Sequence, residues 1–452
     1  MGETAWEPVL SGVLTGDFPA DLQLIRQGGF AEKNQDLVIR EFQLLGHAAA
    51  VIYVDGMADN GKVQRFLLAP CLNAKPPAAG EELEGYLTEQ VLPLASLKPT
   101  SQLSVLLSRV FSGDAALLCD GMPGALLTDA KGFAKRGLDQ PVNETVIVGP
   151  HEGFNESLRD NVALIRRLMD CPALICEQTT VGNKIPAKLC LMYLNGVARE
   201  ENIQELKRRL AGCNVDYVSS MGMLEQLIED KPHSLLPQVA ATERPDRAVS
   251  FLNEGQIVIV MENTPSVIAL PMGLVHLYHA PDDTALRWQY GTFLRLLRMA
   301  GLLISLLLPA VYISLTIFHP EGMPLSLLTS VIESQSRVPL SLFTSMLLML
   351  LMFSLINEAG ARVPGAMGGS LSIVSGLILG QAAVEADMFS PLLIIVVAIS
   401  GLGSYTAPSF PLTMALRISQ FFLVLAAGAA GYLGVVLGCF FLMVRMAGLT
   451  SL

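Results

Sequence analysis

Charge nearly disappears from this chain two-thirds of the way along it. The last lysine is Lys231, and beyond Met299 the only basic residues are Arg337, Arg362, Arg417 and Arg445. Between them run apolar stretches: Met299–Phe318, Leu340–Ile356, Ser370–Ala386, Phe389–Tyr405 and Phe421–Val444. Each is about 17 residues or more, the lower limit for crossing a ~30 Å hydrocarbon core as a helix. Residues 299–452 are therefore expected to form a helical transmembrane domain of four to five spans, with Leu340–Ile356 crossing the bilayer or lying partly within it. Arg287, Arg295 and Arg298 precede the first run, so the positive-inside rule places the N-terminal part in the cytoplasm.

The rest of the chain has the charge mix of a soluble protein, and nearly all of the net charge of −11 belongs to it. No basic stripe is present to neutralise phosphates, which argues against a nucleic-acid partner. Residues 1–30 carry Glu3, Glu7 and Asp17 and lack a basic segment leading into an apolar run, so no cleavable signal is expected. Seven cysteines at irregular spacing contain no CxxC pair, a pattern that fits reduced thiols. No phosphate-cradling loop, nucleophile elbow or HExxH is found. His151-Glu152 and the His276/His279 pair lack further ligands nearby and read as solvated loops. Neither an enzyme nor a metal or other cofactor is expected.

The N-terminal two-thirds divides by pattern. Residues 1–35 read as a lead-in, 36–144 as a first α/β subdomain, 145–187 as a connecting strand–helix segment and 188–280 as a second α/β subdomain. Residues 281–298 form an amphipathic juxtamembrane segment. Leu37–Leu45 and Ala48–Asp55 predict strands meeting at Gly46-His47, and Thr145–Val148 and Val249–Leu252 predict short strands. The two subdomains resemble one another: IYVDG at 52–56 is echoed by MYLNG at 192–196, and GDAALLCDGMPGALL at 113–127 by GQIVIVMENTPSVIA at 255–269. Between two such halves a cleft is a common ligand location, and a rigid platform without a ligand is the alternative.

Candidate functional residues lie in the apolar third. Gln381 and Glu385, four apart, share a helical face. A carboxylate there is costly against lipid, so it reads either as part of a polar site in a bundle or pore, or as the interface of a short hairpin. Asn357 and Glu358 are further intramembrane polar candidates. Ser372, Gly376 and Gly380 form one small-residue face, and Ala430, Gly434 and Gly438 another, each suited to close helix packing.

Several of these segments together carry a family resemblance over about Asp36 to Gly438. They are LVIREF (37–42), VGPHEGFNESLRDNVALIRR (148–167), RWQYGTFLRLLR (287–298), ISLLLPAVYISLTIFH (304–319), INEAGARVP (356–364) and GLILGQAAVEA (376–386). In these the chain resembles the A subunits of spore germination receptors, the GerA family. His151 stands where the family pattern usually has arginine. The resemblance implies a cytoplasmic α/β domain, on the spore core side, attached to an integral domain in the spore inner membrane. It also implies a homo-oligomer that works with a permease-like B subunit and a lipoprotein C subunit, coupling nutrient sensing to ion release as an oligomeric ion channel. In that picture Gln381 and Glu385 are pore or packing residues. A SpoVAF-type paralogue that amplifies germination beside dipicolinic-acid release is the alternative, and a stand-alone solute transporter is a more distant one.

Overall fold

The computed structural model describes residues 12–76, 82–94, 96–132, 141, 144, 149–280, 283, 286–362 and 380–452. They fall into two compact units: one within residues 1–232, 238–272 and 451–452, the other within 233–237 and 273–450.

The first unit holds two five-stranded sheets. In the first, β1 (Leu37–Leu44), β2 (His47–Val54), β3 (Leu97–Thr100), β4 (Ala115–Cys119) and β5 (Ala125–Thr128) take the order β1-β2-β4-β5-β3. In the second, β6 (Leu174–Val181), β7 (Ala187–Leu194), β8 (Ala240–Thr242), β9 (Ile257–Met261) and β10 (Val267–Leu270) repeat it as β6-β7-β9-β10-β8. Every pairing is antiparallel, so the α/β pattern resolves into helices layered on antiparallel sheets rather than parallel crossover units. The central strands β4 and β9 are buried along their whole length, because helices cover both faces of each sheet. The β1–β2 turn uses Leu45 and Gly46, both at positive φ (56° and 91°), the geometry that matches a two-residue hairpin to strand twist.

The helices repeat as well. On one face of the first sheet lie α1 (Phe18–Gly28) and α2 (Leu103–Phe111), burying Leu22, Ile25, Leu107 and Val110 against Ile52 and Leu118. On the matching face of the second lie α3 (Leu158–Leu168) and α6 (Pro245–Asn253), which bury Ile165, Phe251 and Leu252 against Met192 and Val260. The opposite faces are covered by helical residues 60–72 and 83–91 in the first sheet, and by α4 (Glu200–Gly212) and α5 (Met221–Ile228) in the second.

Three local expectations are corrected. Residues 12–35, read above as a lead-in, belong to the first subdomain, since Leu14, Phe18, Leu22 and Ile25 join the core of the first sheet. Val249–Leu252 is helical: Pro245 and Asp246 open α6, and Ala248, Phe251 and Leu252 fall at helical spacing on its buried side. A boundary at 188 cuts through the second sheet, because β6, assigned above to the connecting segment, pairs with β7 along eight residues. Thr145–Val148 lies outside the described residues.

In the junction between the sheets, α3 is capped by Ser157, whose Oγ accepts from Asp160 N at 3.3 Å. Arg166 on this helix is fully buried. It pairs with Asp36 through Nε and Nη2 (Nη2–Oδ1 2.8 Å), donates to Asn34 Oδ1 and Leu174 O at 3.1 Å, and lies 5.1 Å from the Phe111 ring centre. Asn34 Oδ1 also accepts from Cys176 N at 2.8 Å. At this point the two repeats are locked by a satisfied ionic network instead of separated by a cleft. Losing one member of such a buried pair costs several kcal/mol, because the other is left as an uncompensated charge.

The second unit is helical: α7 (Trp288–Ile313, continuing to Phe318), α8 (Leu325–Ser336), α9 (Leu342–Arg362), α10 (Pro391–Ser404) and α11 (Phe410–Ala447). Trp288–Phe318, Leu342–Gly360 and Phe410–Ala447 are long and apolar enough to cross a membrane, while Pro391–Ser404 is shorter. Helix α9 runs past Ile356, where the apolar run ends, through Asn357 and Glu358 to Arg362. Residues 380–385 are helical, and the rest of the expected span from Ser370 lies outside the described residues.

The expected final span, Phe421–Val444, is not one straight helix. At Gly431 the backbone leaves helical geometry (φ 61°, ψ −137°) and α11 folds back on itself. Phe422 and Phe441 would stand about 28 Å apart on a straight helix, yet their ring centres are 5.6 Å apart. A Cβ on Gly438 would sit 2.6 Å from Leu423, and one on Gly434 would strike the Ala426 carbonyl, so backbone meets backbone across the hairpin.

Candidate functional site

Inside the helical unit, α9, α10 and α11 meet around a small cavity lined by Leu350, Phe353, Ser354, Val397, Gly401, Ser404, Arg417 and Gln420. Helical spacing produces this lining: 350 and 354 on α9, 397, 401 and 404 on α10, and 417 and 420 on α11 each share a face. Gly401 permits the approach, since a Cβ there would collide with the Phe353 ring.

The polar groups around it are nearly all engaged. Gln420 Nε2 donates to Ser400 Oγ at 2.5 Å, and Ser400 Oγ donates to Ser305 O on α7 at 2.9 Å. Ser354 and Ser404 donate to carbonyls of their own helices, Leu350 O at 2.8 Å and Gly401 O at 2.7 Å. Beyond Ser354 on the same helix, Asn357 Oδ1 accepts from Tyr405 Oη, and the Arg417 guanidinium lies 5.8 Å from the Tyr405 ring centre. Among the described residues, Asn357 Nδ2 and Arg417 Nε are buried donors of this cluster with no acceptor.

The residues singled out from sequence scatter. Asn357 belongs to this cluster. Glu358 points away and pairs with Arg362 at 2.5 Å on the exposed side of α9. Gln381 and Glu385 are exposed and outside the cluster, and a Cβ on Gly380 would meet open space. Ser372 and Gly376 lie outside the described residues. Gly434 and Gly438 face the first arm of their own hairpin, and Ala430 packs beside Gly434. Sequence reasoning missed Arg417, Tyr405, Ser400 and Gln420. The available signal was Arg417 with Gln420 at a three-residue spacing inside an apolar run.

Ahead of α7, Asp283 is buried and accepts from Arg298 Nη1 at 2.9 Å and Arg295 Nε at 3.3 Å. Burial alone would raise its pKa, but the two guanidinium groups, Arg298 foremost, hold it below the usual carboxylate value. Among the described residues no three His, Cys, Asp or Glu side chains converge as a metal site.

A duplicated antiparallel-sheet unit carrying bilayer-length apolar helices with an inward polar cluster defines a membrane-associated protein of two parts. Comparison with known proteins makes this specific: the family described as Bacillus/Clostridium GerA spore germination protein matches residues 27–452. The chain belongs to the GerA family and is a spore germination receptor subunit of the A type. It is similar to spore germination protein B1 of Bacillus subtilis (strain 168), 35% identical over 89% of this chain and 83% of that one. Spore germination protein KA of the same organism is 32% identical over 92% and 77%, and GerLA of Bacillus cereus 32% over 92% and 85%. The crystal structure of the N-terminal domain of the A subunit of the Bacillus megaterium spore germinant receptor GerK3 covers 58% of this chain and 98% of that domain, at 27% identity and a TM-score of 0.44.

Proposed function

We propose that this subunit converts nutrient sensing by a germination receptor into ion release, as an oligomeric channel element in the spore inner membrane. In this reading the paired-sheet domain lies on the spore core side, and permease-like B and lipoprotein C subunits complete the complex. Catalysis has no part in it. The observation that carries the reading is the exposure of Gln381 and Glu385, one above the other on a short helical segment within the apolar run Ser370–Ala386. A carboxylate facing lipid at membrane depth costs roughly 2.5–3.5 kcal/mol on insertion scales. Water or another copy of the chain, as at the wall of a pore, removes that cost. Arg287, Arg295 and Arg298 beside the first apolar helix favour a core-side amino terminus. The test is electrical. Purified oligomer in planar bilayers should pass ion current, and a preparation silent under germinant and partner subunits alike would overturn conduction.

A further inference from the structure

At the end of the second sheet, the chain comes back to the place it left. Strands β8 and β10 pair from Thr242–Val267 to Ala240–Ala269. Further on the ladder loses a donor, because Pro271 has no N–H. The Gln238 carbonyl and the Met272 amide are the backbone groups left over there. One hydroxyl answers both: Ser451 Oγ donates to Gln238 O at 2.5 Å and accepts from Met272 N at 2.8 Å. The seat is rigid. Gln238 is buried, and its amide donates to Glu229 Oε1 at 2.9 Å. Its side chain accepts from Lys231 N at 3.2 Å and donates to Lys231 O at 2.8 Å. Leu452 packs on the core that this sheet shares with α4 and α5. Residues 451–452 therefore belong to the paired-sheet unit, although residues 273–450 before them belong to the helical one.

We propose that Ser451 and Leu452 form a latch that ties the end of the helical unit to its beginning, so that its helices cross the bilayer an even number of times. Met272 is the last residue of the paired-sheet unit before the apolar helices, and Ser451 is the first after them. Two residues that share a hydrogen bond cannot stand on opposite faces of a ~30 Å hydrocarbon core. The three helices of bilayer length, each counted once, would put them there. One apolar segment must therefore make a further pass or turn back, and the reversal of α11 at Gly431 supplies such a turn. Charge agrees with this parity. Arg295 and Arg298 stand near the start of α7 and Arg445 in the last turn of α11, so the positive-inside rule assigns both ends to one side. The latch does not depend on conduction.

The test uses the full-length protein in membrane vesicles. Met272→Cys and Ser451→Cys are combined in a background where Cys171, Cys213 and Cys439, the native thiols that are not buried, are replaced by serine. A short bifunctional thiol reagent should join the two positions within one chain, seen as one cross-linked peptide pair at monomer mass. No bridge, or a bridge only between two chains, overturns the proposal. A second measurement leaves the thiols out. Hydrogen exchange at the Met272 N–H should be about tenfold faster in Ser451→Ala than in wild type, for loss of its hydrogen-bond acceptor, and close to wild type in Ser451→Thr. Equal rates in wild type and Ser451→Ala overturn the latch. Neither readout measures current, so electrical silence leaves the latch standing.

Discussion

At the scale of single residues, the ionisable groups of the paired-sheet unit fall into satisfied and frustrated sets. Arg166 and Asp36 are satisfied, each the other's counter-charge in a dry junction. Glu225 on α5 is frustrated: burial, then the neighbouring Glu229, push its carboxyl up to about 7. Glu229 is itself committed, accepting from Gln238 N at 2.9 Å, so the shared proton resides on Glu225. A carboxyl whose folded pKa lies above its unfolded value binds its proton more tightly in the folded state. It therefore favours folding below the unfolded value, near 4.5, and that contribution is lost as pH rises from there to about 7. Glu225→Gln keeps a donor to Glu229 without titrating. It should flatten the decline of stability between about pH 4.5 and 7 and raise the unfolding midpoint at pH 7.5, as followed by thermal unfolding. A wild-type midpoint that is level through this window would contradict the assignment.

At the scale of elements, the decisive feature of the helical unit is the reversal at Gly431. Only glycine accepts that backbone geometry at low cost, and a Cβ there would lie 2.8 Å from the Phe318 ring. Cysteines at 422 and 441, in a Cys439→Ser background, should be joined by a short bifunctional thiol reagent within one chain, detected as a single bridged mass. A straight helix, with these positions about 28 Å apart, would give none. Nothing in the local pattern announces this turn, because apolar side chains continue through it without a charge or proline. The opposite holds for α1. Leu14, Phe18, Leu22 and Ile25 recur at helical spacing, with Asp17 ahead of the helix and Pro19 in its first turn, so the signal was present in the sequence. Val249–Leu252 illustrates a third case, a short apolar run that periodicity alone cannot assign to strand or helix.

At the scale of the whole chain, the duplication was legible because identical strand positions demand similar residues. IYVDG and MYLNG end equivalent strands, and the step from Phe18 to Leu158, where α1 and α3 begin, is the same 140 residues. The polar cluster was not legible, since Asn357, Ser400, Tyr405 and Arg417 come from three helices and meet only through tertiary packing. Gln381 and Glu385 had the opposite fate: their spacing was obvious, and the structure leaves them exposed on one chain. That exposure is why the account rests on them. The most direct measurement is ion release from spores whose only copy of this subunit carries Glu385→Ala, with its amount in the membrane fraction matched to wild type. The account predicts release slowed roughly tenfold or more, the effect of a barrier raised by ~1.4 kcal/mol. Release at the wild-type rate, with the protein present in the membrane, would contradict it.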